Sequence, residues 1–285
     1  MIDKAELVRL IEQVAPPYLN AEWDNSGMQI EPGANEIGRI LIALDLTPDV
    51  VSEAKLGGYD LVIVHHPLFF GDGKGPAGRN ILLNDAVGRY VWRLLAEPPM
   101  PVGVYAAHTT FDAADGGLCD ELRKQIGLMP WDDRLHPDIA AEFAHIAPYA
   151  RAGRFPDAIN LADAVGRVRA ALGTGADIRV SGNPADSLLK IMVVCGGGGD
   201  AIPLAVKTGC SLLITGDIRH HEWRLAEAEG LSLIDAGHYY TERSFPRLML
   251  GQLAEALGQA YAGIAIDVSV NIHQPYASPA QARNE

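Results

Sequence analysis

Two kinds of hydrophobic pattern alternate along this chain. Runs that are apolar throughout recur between Gly, Pro or Asp: RILIALD (39–45), YDLVIVHH (59–66), PVGVYAAH (101–108), KIMVVCGG (190–197), CSLLITGD (210–217), LSLIDAGH (231–238) and GIAIDVSV (263–270). Their Val/Ile content and lack of polar alternation predict strands covered on both faces. Between them, apolar positions repeat every three to four residues in TPDVVSEAKLGG, ILLNDAVGRYVWRLLAE, HHEWRLAEAEG and TERSFPRLMLGQLAEAL, which predicts helices. Thr47-Pro48 suits a helix start, a capping hydroxyl followed by a proline in the first turn. The opening MIDKAELVRLIEQVAPPYL reads as an amphipathic helix carrying both charge signs. Alternation of this kind predicts a layered α/β architecture.

The pattern also repeats. Residues 40–66 align without a gap on residues 191–217 at a constant offset of 151, pairing Asp49 with Asp200, Gly58 with Gly209 and Ile63 with Ile214. Each copy is a strand, a helix and a second strand whose end is polar, His65-His66 in the first and Gly216-Asp217 in the second. Each copy then runs to another strand ending in histidine with an acid four residues later, His108/Asp112 and His238/Glu242. The expectation is an α/β fold of two similar lobes from an internal duplication, with sheets, helices and a cleft where polar strand ends face one another. The expected partition is a first lobe at 1–132, a connecting segment at 133–188, a second lobe at 189–272 and a flexible tail at 273–285.

These strand ends are where chemistry collects, because in α/β sheets ligands gather beyond the carboxyl ends of the strands. Pro67 holds His66 extended, so the adjacent histidines point to opposite sides of the chain and can serve two metals or two sides of one site. A hydrogen-bonded structural pair is the alternative reading. Asp112 could cap a helix, and Glu242 could be a surface acid favoured by the helix dipole. Taken together, His65, His66, Asp112, His238 and Glu242 are the ligand types of zinc, iron, manganese or nickel, and carboxylates can bridge two ions. Clustering them without a cation would be costly in desolvation and repulsion. The Gly196–Gly199 run ahead of Asp200 offers either a backbone nest for phosphate or a tight, closely packed turn, and it lacks the Lys-Ser/Thr of a Walker motif.

Composition narrows the class. The 285 residues are 48% hydrophobic and 21% charged, as in ordinary globular proteins. No apolar run approaches the roughly 18 residues that cross a bilayer, and the N-terminus lacks the apolar core of a signal peptide. Three scattered cysteines suit buried thiols in a reducing compartment, so the cytoplasm is expected. A net charge of −13 opposes binding to phosphate backbones, and neither nucleic acid nor membrane is an expected partner.

The segments EWDNSGMQI (22–30), VIVHHPLFF (62–70), AAHTTFDAADGGLCDEL (106–122), ITGDIRHHEW (214–223) and DAGHYYTERSFPRLM (235–249) occur together and in order. In this the chain resembles the GTP cyclohydrolase I type 2 family, also called the Nif-three-like proteins, from about residue 3 to 272. The resemblance implies two divalent metal ions between two intertwined α/β lobes. By motif, His65, His66, Asp112, His238 and Glu242 would be the ligands, with the two carboxylates bridging. His108 and His221 would be acid/base or substrate-facing groups. It further implies a homohexameric ring and hydrolysis of a nucleotide-like substrate. A phosphoesterase, or a ring that binds metals or macromolecules without turnover, are the alternative functions. Ile30-Glu31 and Thr110 depart from the family pattern, which leaves the proposed ligands intact and the pocket's shape open.

Overall fold

The computed structural model describes residues 1–69, 86–96, 101–131, 137–173 and 178–275. The fold is mixed α/β and forms two compact units, Met1–Ala114 with Ser244–His273, and Asp115–Arg243 with Gln274–Glu285.

The first unit is built on a five-stranded sheet in the order Ala265–Val268, Arg39–Ala43, Leu61–Val64, Gly103–Ala106, Gly27–Ile30. The first four strands are parallel and Gly27–Ile30 is antiparallel, with registers such as Ile40↔Leu61 and Val62↔Val104. Every residue of Leu61–Val64 is buried, which explains the unbroken apolar run: both faces of that strand are covered. One face packs Leu41, Val62, Val64 and Val104 against Val50, Val51 and Ala54 of the helix Pro48–Gly57 and Val91 and Leu94 of the helix Ala86–Ala96. Each such side chain contributes about 1.5–3 kcal/mol by leaving water. The helix Phe245–Leu257 packs on Lys4–Val14, Arg39–Ala43 and Ala265–Val268. Thr47 caps Pro48–Gly57 by accepting from the Val50 amide, as its sequence predicts.

The second unit holds a six-stranded sheet, Arg179–Ser181, Ser232–Asp235, Leu212–Gly216, Ile191–Gly197, Arg151–Arg154, Met129–Pro130. Its three central strands are parallel, and Arg179–Ser181 and Arg151–Arg154 flank them antiparallel. Both sheets therefore share a parallel three-stranded core in sequential order. They differ beside its first strand, where Ala265–Val268 is parallel and Arg151–Arg154 antiparallel.

Two expectations differ from the structure. The segment 133–188 supplies Arg151–Arg154 and Arg179–Ser181 to the second sheet, so it does more than connect, and 245–268 returns to the first unit. The helix expected from TERSFPRLMLGQLAEAL is two helices, His238–Glu242 and Phe245–Leu257. A proline explains the break: Pro246 lies in the first turn of the second helix, where its missing N–H is tolerated, whereas in the interior of one continuous helix it would be costly. Most of the expected tail lies outside the described residues. Among the described residues no helix is long and apolar enough to cross a membrane.

Candidate metal centre

In the first unit, His65 and His66 follow directly on the strand Leu61–Val64, and both backbone amides donate to the carbonyl of Leu44 at the adjacent strand end, at 3.0 and 3.3 Å. His108 is the N-cap of the helix Thr109–Ala113, and Asp112 lies within that helix, its amide 3.1 Å from the His108 carbonyl. Three rings are thereby gathered. The centroids of His65 and His66 are 4.8 Å apart, those of His65 and His108 5.0 Å, and those of His66 and His108 5.5 Å. One ring nitrogen of each lies within 4.8 Å of the others. Asp112 Oδ1 is 3.7 Å from His65 Nε2. The buried Phe245 ring packs on His65 and on Phe111, so this side of the set is apolar.

The opposite nitrogens of these rings share one arrangement. His65 Nδ1 donates to the Ala107 carbonyl at 3.0 Å, His66 Nδ1 to Asp45 Oδ1 at 2.8 Å, and His108 Nδ1 to Asp24 Oδ1 at 2.8 Å. Each partner is only an acceptor, so Nδ1 carries the proton and the Nε2 lone pair is directed elsewhere. Histidines that ligate metals are held in this way, by a carbonyl or carboxylate on the far nitrogen. The Asp24 side chain is fully buried. Burial opposes its ionisation, but hydrogen bonds from His108, Thr109 and Ser26 hold the carboxyl far below the usual range.

The second unit carries a smaller set. His238 and Glu242 begin and end one helix, and His238 Nε2 lies 3.0 Å from Glu242 Oε2. His238 Nδ1 donates to Asp217 Oδ2 at 2.8 Å, repeating the arrangement of the first unit. Asp217 has φ 54°, the one non-glycine residue at positive φ among the described residues, at the turn that ends the strand Leu212–Gly216. The Gly196 amide donates to Thr241 Oγ1 at 3.0 Å, and the Thr241 hydroxyl donates to the His238 carbonyl at 2.7 Å.

The glycine run resolves in favour of close packing. A Cβ at Gly196, where φ is +63°, would collide with Glu242 Oε1, and one at Gly199 would collide with the Glu222 carboxyl group. Two carboxylates already occupy the surface of this backbone, which disfavours a phosphate there.

The donor geometry fits divalent ions. Two ligand atoms each about 2.1 Å from one ion and 90–120° apart are separated by about 3.0–3.6 Å. The His238–Glu242 separation of 3.0 Å and the His65–Asp112 separation of 3.7 Å fall close to the two ends of that interval. Imidazole and carboxylate donors suit zinc, iron, manganese or nickel.

The structure thus gathers His65, His66, His108 and Asp112 in one unit, and His238 with Glu242 in the other. It does not tie His221 to them: His221 is exposed on the first turn of His220–Glu229, and among the described contacts no hydrogen bond or ring contact joins it to either set. Asp24, Asp45 and Asp217, which orient the rings, are not singled out by sequence reasoning as site residues. Asp45 and Asp217 close apolar runs, a usable signal, whereas Asp24 lies in an aperiodic stretch.

Fold and side chains together define an α/β protein with histidine–carboxylate sets at its strand ends. The chain matches the Duf34/NIF3 (NGG1p interacting factor 3) family over residues 2–275 and belongs to that family. It is 30% identical over 239 residues to the GTP cyclohydrolase 1 type 2 homolog of Clostridium perfringens, covering 83% of this chain and 86% of the relative. It is 29% identical over 246 residues to the GTP cyclohydrolase 1 type 2 of Helicobacter pylori strain 26695, covering 84% and 87%. Among solved structures, a Bacillus cereus protein related to NIF3 superposes with a TM-score of 0.81 at 21% identity, over 97% of this chain and 99% of that one, a likeness of fold.

Proposed function

We propose that the two strand-end sets act together as a dinuclear divalent-metal centre serving hydrolysis of a nucleotide-like substrate. One observation carries this reading: four histidines at strand ends each place Nδ1–H on an oxygen acceptor, and a buried carboxylate lies beside Nε2 in both units. His65, His66, Asp112, His238 and Glu242 would hold the ions, with Asp112 and Glu242 bridging. The matched ends of two similar strand cores support a duplicated origin for the two sets. Bound divalent ions supply Lewis acidity and make coordinated water more acidic. The chain's own contribution is orientation. Asp24 fixes the His108 ring so that Nε2 can take or return a proton, the geometry a general acid/base requires. Phe245 and Phe111 keep water from one side of His65. The names of the relatives support a purine nucleotide such as GTP as the substrate class, and a homohexamer in the cytoplasm completes the proposal.

The test has three parts. Elemental analysis of metal-replete protein should give two tightly held ions per chain, and formate or phosphate should be released from a nucleotide panel only when metal is present. One ion or fewer, or no release from any nucleotide, would count against the centre or the hydrolase respectively. Asp112→Asn should lose bound metal, whereas His221→Asn should retain it; equal loss would show that the ligands are misassigned. Sedimentation equilibrium giving single-chain mass would refute the ring.

A further inference from the structure

Two of the three cysteines meet inside the second unit. Cys119 lies in the first turn of the helix Leu118–Gln125 and Cys195 in the strand Ile191–Gly197, and that helix packs on that strand. Their sulfurs lie within 4.8 Å of each other, and the Cys195 side chain is hydrogen-bonded to the Cys119 sulfur. Both are free thiols; Cys119 is fully buried and Cys195 is 7% exposed. Cys210 has a different neighbour: its sulfur is 3.5 Å from the Thr208 hydroxyl, and burial raises its thiol. The backbone at Cys195 is irregular. The ladder from Ile191–Gly197 to Arg151–Arg154 ends at Val193, and the ladder to Leu212–Gly216 breaks its register between Val193 and Gly197. Cys195 therefore sits in a short stretch that regular strand pairing does not hold. The next residue, Gly196, has φ +63° and packs its Cα side against Glu242 Oε1, and its amide donates to Thr241 Oγ1 at 3.0 Å.

A disulfide needs sulfurs about 2.05 Å apart, so this pair has less than about 3 Å to close. Rotation of one side chain and a small displacement of the irregular stretch supply that approach. We propose that Cys119 and Cys195 are a redox-modification site, which hydrogen peroxide joins in a reversible disulfide that shifts Gly196 against Glu242. Cys195, the partner with some exposure, attacks as its thiolate: an S–O bond forms, the O–O bond breaks and hydroxide leaves, giving a sulfenic acid. The Cys119 sulfur then attacks that sulfur, the S–O bond breaks, and the departing hydroxide takes the Cys119 proton as water. Two thiols are oxidised by two electrons, and one peroxide is reduced to two waters. In a reducing compartment such a bond is transient, because thiols reopen it by exchange. The cross-link is independent of the metal-centre reading; its effect on bound metal, through Glu242, rests on that reading.

Brief treatment of the folded, full-length, metal-replete protein with hydrogen peroxide tests it. Intact mass should fall by two hydrogens per chain, a peptide map should show Cys119 linked to Cys195, and dithiothreitol should reverse both. Cys210→Ser should cross-link as the wild type does, and Cys119→Ser should not. Unlinked thiols, sulfinic acid without a cross-link, or a link through Cys210 would overturn the proposal. The wild-type map decides even if Cys119→Ser fails to fold. Amide exchange should quicken in the oxidised form around residues 194–198 and 238–242, and a cross-link that leaves exchange there unchanged would overturn the coupling to Glu242. Metal affinity should drop about 10–100-fold on oxidation and return on reduction. If the reduced protein holds no metal, the metal-centre reading fails by itself, and the map and the exchange still decide this one.

Discussion

The two strand-end sets use the same device in opposite surroundings. In the first unit the carboxylate that orients His108 is fully buried and accepts from His108, Ser26 and Thr109. In the second, the carboxylate that orients His238 is Asp217, whose side chain is 60% exposed and whose backbone sits at positive φ. The buried partner is part of the core and holds the local fold as well as the ring. The exposed partner contributes orientation and little else, because water competes for its oxygens and screens its charge. His108 is oriented by packing, His238 by a single turn.

The largest effect should come from breaking the buried partner. Asp24→Ala leaves the His108 Nδ1–H, the Thr109 hydroxyl and the Ser26 hydroxyl without this acceptor, and each buried donor left unpaired costs about 1–3 kcal/mol. Asp217→Asn, which tolerates the same backbone conformation, should change stability by less than about 1 kcal/mol. It should nevertheless lower metal affinity about 10–100-fold through loss of ring orientation. Thermal melts and metal titrations of the two variants measure both quantities. Equal destabilisation would remove the distinction drawn between the sets.

Gly196→Ala sharpens the second half of the comparison. A methyl group there must displace the Glu242 carboxylate and adopt positive φ, which costs about 1–3 kcal/mol. The displaced group is a proposed ligand, so metal should be lost along with stability. A variant that melts early but holds metal normally would mean that Glu242 is not a ligand.

The smallest effect is a pH dependence away from both sets. Burial raises the Glu222 carboxyl, but hydrogen bonds from the Arg219 side chain and backbone, with the charges of Arg219 and His221, outweigh it and leave the group below its ordinary value. A carboxyl lowered by folding stabilises the protein above its unfolded value, and that contribution disappears as pH falls through the folded one. Glu222→Gln should therefore lower the melting temperature at neutral pH, with the difference shrinking on acidification below the ordinary glutamate range. A difference that grows on acidification would reverse the sign argued here.

Much of this was legible in the sequence. All seven apolar runs became strands; six are buried almost throughout, as a run without polar alternation predicts, whereas Ala265–Val268 lies at a sheet edge and alternates exposed with half-buried residues. The four-residue spacing of His108 with Asp112 and of His238 with Glu242 placed each acid one turn from its histidine on a short helix, His108 as the N-cap of Thr109–Ala113 and His238 as the first residue of His238–Glu242. Asp24 was not legible as a partner of His108, since the two are 84 residues apart and no periodicity links them. The return of residues 244–273 to the first unit was hidden for a related reason. Strand Ala265–Val268 reads the same whichever sheet it joins, and only pairing with Arg39–Ala43 decides. His221 shows the converse: a histidine beside strand-end motifs can still be exposed on a helix.

That return has a consequence for how the protein is made. The first unit needs Phe245–Leu257 on its sheet and Ala265–Val268 beside Arg39–Ala43, yet these are synthesised after the whole of Asp115–Arg243. During translation the second unit can close on the ribosome while the older residues wait with an open edge strand and an uncovered apolar face. Such surfaces are where nascent chains recruit chaperones or aggregate. Late truncations should therefore damage the earliest-made part of the molecule first.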